Sequence, residues 1–334
     1  YQYGQLHDSS AHAEIQAIRR HEELIKAGEA PPFNEAKLTT SLCPCMMCTG
    51  ALLRMAQTGN SYEAVNFIAI DRHLSPARDI HMLPPSLRYR ARSLFKMLPT
   101  YDQNGFSADP EAISPKTLEI AEAAYITART RLKQERAERR SRMSDDKSCD
   151  SETPHEADPA RLQLDNNHVT APIVETLVQL ASDSKKSGNE MDAAILFDAS
   201  GHELFRAGSA TRSSVLQTPI MGVIEQYEKW HLALENQGKK APAFSSLRLV
   251  CLREPQLMEI GRIDSAALGT ELKEKMVSYL MPDRELGVQT TGFLRTIQGT
   301  HPDVAATVER VPQKRMRELA EKLVAHHQNR GIGE

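Results

Sequence analysis

Residues 43–50 read CPCMMCTG, and upstream of them residues 10–18 read SAHAEIQAI. Cys45 and Cys48 stand three apart, a spacing shared by redox pairs, structural metal clips and one half of a catalytic metal site. The stretch AKLTTSL (36–42) is short and rich in Thr and Leu, which predicts a buried strand running into the cysteines. MMCTGALLRMA (46–56) predicts a helix whose first turn holds Cys48. Further upstream, HAEIQAIRRHEELIKA (12–27) sets Ile15, Ile18, Leu24 and Ile25 at roughly helical spacing, and Gly28 is the expected stop. AVNFIAI (64–70) is a near-continuous apolar run of strand length, the pattern of a central parallel strand covered on both faces. Helix, strand, helix and strand in that order point to a layered α/β fold.

His12-x-Glu14 and Pro44-Cys45-x-x-Cys48 together supply one imidazole, two thiolates and a nearby carboxylate. Zn²⁺ favours N and S donors in a tetrahedron, and three protein ligands leave the fourth position open, as in a catalytic site. Cysteines at a helix N-terminus face backbone N–H groups and the positive end of the helix dipole, which favours the ionised, ligating form. Glu14 stands where a proton shuttle is needed: a carboxylate beside a metal-activated water takes its proton as the water attacks an amidine carbon. That chemistry is the hydrolytic deamination of a nucleobase, at C4 of cytosine or C6 of adenine. Two other readings remain open on these residues. One is a non-catalytic, zinc-stabilised module that binds nucleic acid or protein and has no need of Glu14. The other is a thiol–disulfide protein built on Cys45 and Cys48, which holds no metal tightly.

DSSAHAEIQAIR (8–19) and SLCPCMMCTGALL (41–53) resemble the zinc-dependent cytidine/adenosine deaminase superfamily. The nearest branches are the tRNA adenosine deaminase-like enzymes and the bacterial deaminases prototyped in Bdellovibrio. The resemblance rests on both motifs, their order and their spacing, and covers about residues 5–75. It implies a cytidine deaminase-like three-layer α/β/α sandwich, with His12, Cys45 and Cys48 binding zinc and Glu14 as the acid/base. Family members often carry Glu directly before Pro-Cys, where this chain has Cys43. The fold also ordinarily opens with a helix and a strand ahead of the His-bearing helix. Only eleven residues precede His12, so this opening is expected to be missing or cut off.

The second half of the chain repeats the first with the chemistry removed. HAEIQAI (12–18) aligns with TPIMGVI (218–224), and KLTTSLCPCMMCTG (37–50) with RLVCLREPQLMEIG (248–261), with five extra residues in the second loop. His12 then meets Thr218, Glu14 meets Ile220, Cys45 meets Gln256 and Cys48 meets Glu259, while Pro44 matches Pro255 and Gly50 matches Gly261. This predicts a duplicated fold: a deaminase domain over 1–143 and a degenerate, metal-free copy over 168–334. Between them, residues 144–167 are acidic, polar and poor in large apolar side chains, and are expected to form a disordered linker. The second copy carries the full opening, a helix over 169–182 and a hairpin over 191–209. From Glu271 onward the chain is expected to be mostly helical.

The 334 residues suffice for two domains, and 40% hydrophobic with 25% charged residues is globular composition. No apolar run approaches the ~20 residues of a membrane span, so no membrane partner is expected. Five cysteines, three of them within six residues, are not a disulfide framework, and with no signal segment they suggest reduced thiols in the cytoplasm. A net charge of −3 gives no global footprint for nucleic acid. Residues 129–142 do hold seven Lys/Arg against two Glu, a solvated helix face or a phosphate contact. The expected partner is therefore a nucleobase substrate, favouring tRNA or single-stranded nucleic acid over a free nucleoside or nucleotide. Pairing is expected within the chain, between its two deaminase-like domains, or as a homo-oligomer. His7 is expected at the pocket mouth or in a loop, and His21, His73, His81, His326 and His327 at the surface. Cys43, Cys149 and Cys251 are given no role.

Overall fold

A computed structural model describes residues 12–42, 44–69, 134, 161–239, 241–267, 274–281 and 306–331. His7, Cys43, His73, His81, Cys149, the basic segment apart from Gln134, and residues 144–160 of the expected linker lie outside the described residues. The chain divides into two compact units, and it is a mixed α/β protein.

The first unit holds helix α1 (Ala13–Lys26), strand β1 (Lys37–Leu42), helix α2 (Met46–Gln57) and strand β2 (Ala64–Ala69). β1 and β2 pair in parallel, from Lys37 opposite Ala64 to Leu42 opposite Ala69. A parallel pair needs a crossover, and α2 supplies it. α1 stops where expected: Gly28 takes φ +74°, the left-handed conformation that closes a helix without a Cβ penalty. Its inner face is Ile15 and Ile18, both with no exposure. The end of α1 is held from the side. The His21 ring shares hydrogen bonds with the Tyr62 hydroxyl (3.1 Å) and the Pro31 carbonyl (2.9 Å), and meets Phe33 edge-on. His21 is thus half-buried and anchoring, which corrects its expected surface placement.

The second unit holds helix α3 (Ala171–Lys186), strands β3 (Ala193–Phe197) and β4 (Glu203–Gly208), helix α4 (Pro219–Asn236) and strand β5 (Arg248–Arg253). Strands β6 (Val277–Met281) and β7 (Val308–Arg310) and helix α6 (Gln313–Gly331) complete it. One further helix, α5 (Leu257–Ala266), follows β5 in sequence but groups with the first unit. The sheet runs β4-β3-β5-β6-β7, antiparallel across β4-β3-β5 and parallel from β5 to β7. All five residues of β3 are buried, so both faces of the sheet are covered there. Ala193, Ile195 and Phe197 point into a core with Ile173 and Leu177 of α3 and Leu319 of α6. The alternate residues, Ala194 and Leu196, are covered from the side of α4, which packs on β3 and β4.

Two segments differ from expectation. Among the described residues between Glu271 and helix α6, strands β6 and β7 extend the sheet, β6 parallel to β5 and β7 parallel to β6. Residues 161–167 also belong to the fold rather than to a linker. Leu162 and Leu164 are buried in the core of the second unit, and their backbone bonds to Glu203 and Gly201. Two leucines two apart suffice to seat one short extended segment, although the stretch is otherwise polar.

Elements of the two halves fall in register with the sequence repeat. The single-turn helices Phe33–Glu35 and Phe244–Ser246, the strands β1 and β5, and the first residues of α2 and α5 are each 211 positions apart.

Candidate metal centre

Two helix N-termini carry the candidate ligands. His12 is the N-cap of α1, with extended backbone (φ −67°, ψ 143°) and a side chain that does not cap its own helix. Cys45 is the N-cap of α2 (φ −67°, ψ 179°), again without a side-chain cap. β1 delivers the chain to this point, and Pro44 suits the extended entry into the helix. The Thr49 hydroxyl donates to the Pro44 carbonyl at 3.0 Å and the Thr49 N–H to the Cys45 carbonyl at 2.8 Å, which fixes the first turn. Cys48 then lies three residues in, fully buried. Neither cap side chain turns back on its own helix, and the three candidate donor atoms face one another.

They do so: the donor atoms of His12, Cys45 and Cys48 lie within 4.8 Å of one another, the one such group of three found among the described residues. His12 Nδ1 is 3.4 Å from Cys45 Sγ and 3.6 Å from Cys48 Sγ. A tetrahedral zinc, with bonds of about 2.3 Å to sulfur and 2.0–2.1 Å to nitrogen, sets these atoms about 3.6 Å apart. One imidazole and two thiolates are also the donor types zinc prefers. The residues fit the metal in both spacing and chemistry.

Burial and mutual proximity shift all four groups. The Cys45 thiol is drawn well below the usual thiol range, first by the hydrogen bond that Cys48 donates to it and then by the His12 charge, against the effect of burial. Burial chiefly, then the neighbouring Cys45, pushes Cys48 well up. Burial works to lower His12, but the Cys45 thiolate, its hydrogen bond and Glu14 together hold it above its ordinary value. Glu14 is raised, by burial first and then by Cys45. The two thiols are thus shifted in opposite directions, Cys45 toward the ionised form and Cys48 toward the protonated one, and His12 toward its charged form. A divalent cation reverses that order and deprotonates both ligands.

Glu14 is buried in the first turn of α1, within hydrogen-bond reach of Cys48. Its carboxylate is thus beside the ligand set without belonging to it. All four residues singled out in the sequence come together.

Residues that the sequence reading passed over line the other side of α2. Arg54 is nearly fully buried and its Nη1 donates to Gln256 Oε1 at 2.6 Å. Gln256 is the N-cap of α5 and Glu259 its third residue, and the two form a capping box, with the Gln256 N–H donating to Glu259 Oε2 at 2.7 Å. The signal was present as Gln-x-x-Glu opening an apolar helix, a pattern for an N-terminus. No helix among the described residues is long and apolar enough to cross a membrane.

No protein-family model matches the sequence, and no curated protein is similar to it. Among solved structures, one from a study of tRNA:A34 deaminases that edit A to I at the wobble position is 20% identical, covering 33% of this chain and 75% of that one, with a TM-score of 0.25. A guanine deaminase from Nitrosomonas europaea is 12% identical over 46% of this chain and 80% of its own, with a TM-score of 0.30. A mutant protein in complex with 8-azaguanine is 14% identical over 46% of this chain and 82% of its own, with a TM-score of 0.31.

Proposed function

We propose that this chain is a zinc-dependent hydrolytic deaminase acting on the exocyclic amine of a nucleobase, with its metal site in the first unit. The observation that carries the reading is the convergence of His12, Cys45 and Cys48 at tetrahedral spacing with the buried Glu14 beside them. A purely structural zinc site needs a fourth protein ligand and no carboxylate; three ligands with a carboxylate suit hydrolysis.

His12, Cys45 and Cys48 would hold the metal, and when bound, Zn²⁺ supplies the Lewis acidity that makes water a competent nucleophile near neutral pH. Glu14 does the proton work. Its carboxylate would accept a proton from the attacking water and pass it to the ring nitrogen as the amidine carbon becomes tetrahedral; it would then take the proton of the new hydroxyl and pass it to the exocyclic amine, which leaves as ammonia as the C–N bond breaks and the carbonyl forms. A carboxyl group held above its ordinary range by burial is better matched to exchanging protons near neutral pH than an exposed one. Burial also keeps bulk water from competing for the same protons.

The second unit is read as a degenerate copy of the first, on the strength of the 211-residue register shared by turn, strand and helix. Gln256 and Glu259 then occupy the cysteine positions and cap a helix instead of holding a metal. The substrate is assigned to tRNA or single-stranded nucleic acid ahead of a free nucleoside or nucleotide, from the motif resemblance and the basic stretch 129–142. The cytoplasm is the assigned compartment, because the ligand thiols must stay reduced.

The test is deamination by the purified chain beside Glu14→Ala, read by the mass change of the base. Cytidine, deoxycytidine, dCMP, adenosine, guanine, single-stranded DNA and bulk tRNA form the panel, with zinc content measured in both proteins. Turnover by wild type that drops at least about 100-fold in a zinc-loaded Glu14→Ala supports the proposal. A zinc-loaded, folded wild type that converts none of the panel sinks it in favour of a binding module.

A further inference from the structure

Helices α2 and α5 cross so closely that neither tolerates a side chain at the contact. A Cβ built on Gly50 would lie 2.6 Å from Met258 Cα and 2.7 Å from the Leu257 carbonyl carbon; one built on Gly261 would lie 2.7 Å from Met47 Cα. These two contacts are the same contact made twice. Gly50 and Gly261 are 211 positions apart, and so are Met47 and Met258, so exchanging the two helices exchanges the contacts. The crossing has a local pseudo-twofold.

Such symmetry has a consequence for partner choice. Gly50 receives a methionine at the frame position that Met47 fills on α2 itself. By its Gly and Met alone, α2 is complementary to a second α2 as well as to α5. What separates the two partners is Arg54. Its acceptor, Gln256, stands at the frame position of Cys45, and its own frame position in α5 is Ser265. A twofold pairing of α2 with α2 from another chain would bring each buried guanidinium against Cys45, whose sulfur faces His12 at 3.4 Å, in place of an amide oxygen at 2.6 Å.

We propose that the α2–α5 crossing does within one chain what a subunit interface does between two, and that the Arg54–Gln256 hydrogen bond makes α2 select α5 over a second α2. The protein is then a monomer whose pairing surface is already used. This rests on the repeat reading and not on the deamination chemistry, and its readout is molar mass rather than turnover.

Sedimentation equilibrium on the full chain, over a wide concentration range, tests it. Wild type is expected to remain at 37.2 kDa throughout. Arg54→Ser, which gives α2 the residue that α5 has in that frame position, is expected to rise with concentration toward twice that mass. The exchange Arg54→Gln with Gln256→Arg remakes the bond in reverse and is expected to stay folded and monomeric. A dimeric wild type, an Arg54→Ser that stays monomeric at every concentration, or an exchange variant that associates or unfolds would each overturn the proposal. Should Arg54→Ser alone fail to fold, the exchange variant decides.

Discussion

Gly50→Ala adds one methyl group to the centre of α2, and two effects oppose each other. Replacing glycine inside a helix gains about 0.5–1 kcal/mol from the backbone entropy of the unfolded chain. Against this, the new Cβ would meet backbone atoms of Leu257 and Met258, with Met258 Cα at 2.6 Å where ordinary contact begins at 3.4 Å. No rotamer change relieves a clash with backbone, so the two helices must part by roughly 1 Å along their contact, or α2 must slide. Overpacking of this kind costs about 1–3 kcal/mol, and the unyielding neighbour places it at the upper end. The expected net loss is about 1–2 kcal/mol. Cys48 lies half a turn from Gly50 and Cys45 caps the same helix, so the shift also reaches the ligands. Zinc affinity should fall by about 10–100-fold, the range seen when the support behind a metal ligand is disturbed. Gly222→Ala in α4 is the internal control: its Cβ would meet only the Ala207 methyl, at 3.3 Å, and stability should change little or rise by up to about 1 kcal/mol. Urea unfolding followed by circular dichroism gives the first quantity, and competition with a chromophoric chelator gives the second. If Gly50→Ala matched Gly222→Ala in both, the close crossing would not exist in solution.

Metal removal and thiol reactivity check the site directly. Wild type should bind one zinc per chain and Cys45→Ser none; with free zinc a hundredfold above its dissociation constant, chelation should lower the stability of the first unit by about 2.7 kcal/mol. In the metal-free protein Cys45 should alkylate with iodoacetamide well before Cys48, as peptide mapping would show, because Cys45 is depressed and half-exposed while Cys48 is raised and buried. The sign fixes the pH profile. A thiol with a lowered pKa ionises earlier as pH rises, so the Cys45 rate should reach its plateau at a lower pH than the Cys48 rate, and a Cys45 profile no earlier than that of Cys48 would contradict the imidazole–thiolate pairing.

The convergence of His12, Glu14, Cys45 and Cys48 was legible because it is local and chemically specific: the four occupy two short stretches that each open a helix. Strand β2 was legible from its continuous apolar run, and α1 from its helical spacing of isoleucines and leucine. What escaped depends on residues far apart in the chain. His21 reads as a surface residue until Tyr62, 41 positions on, supplies its partner. Strands β6 and β7, of five and three residues, are too short to show a period and are strands because β5 offers an edge to β6 and β6 an edge to β7. Arg54 looks like a solvated charge on a helix until α5 covers it. The two glycines carried the clue, since a glycine kept in the middle of both helices costs stability unless something passes close by.

Under the proposed repeat, the frame shared by α2 and α5 sets the candidate metal site and its counterpart at the same helix positions. Cys45 and Cys48 are the N-cap and third positions of α2; Gln256 and Glu259 are the N-cap and third positions of α5. Those are the two positions of a capping box. A side chain there can turn back to the N–H groups of its own helix, as Gln256 does while also accepting from Arg54, or face away from them, as Cys45 does. Cysteine is a poor cap, so α2 gives up the ~1 kcal/mol that a capping side chain contributes and keeps its sulfurs free for His12 and a cation. Gln256 and Glu259 take the opposite course, and α5 is stable with no metal. Placing Gln and Glu at 45 and 48 is therefore expected to leave α2 folded and capped while removing the candidate donors, so under the proposed repeat the site can be lost without loss of the fold.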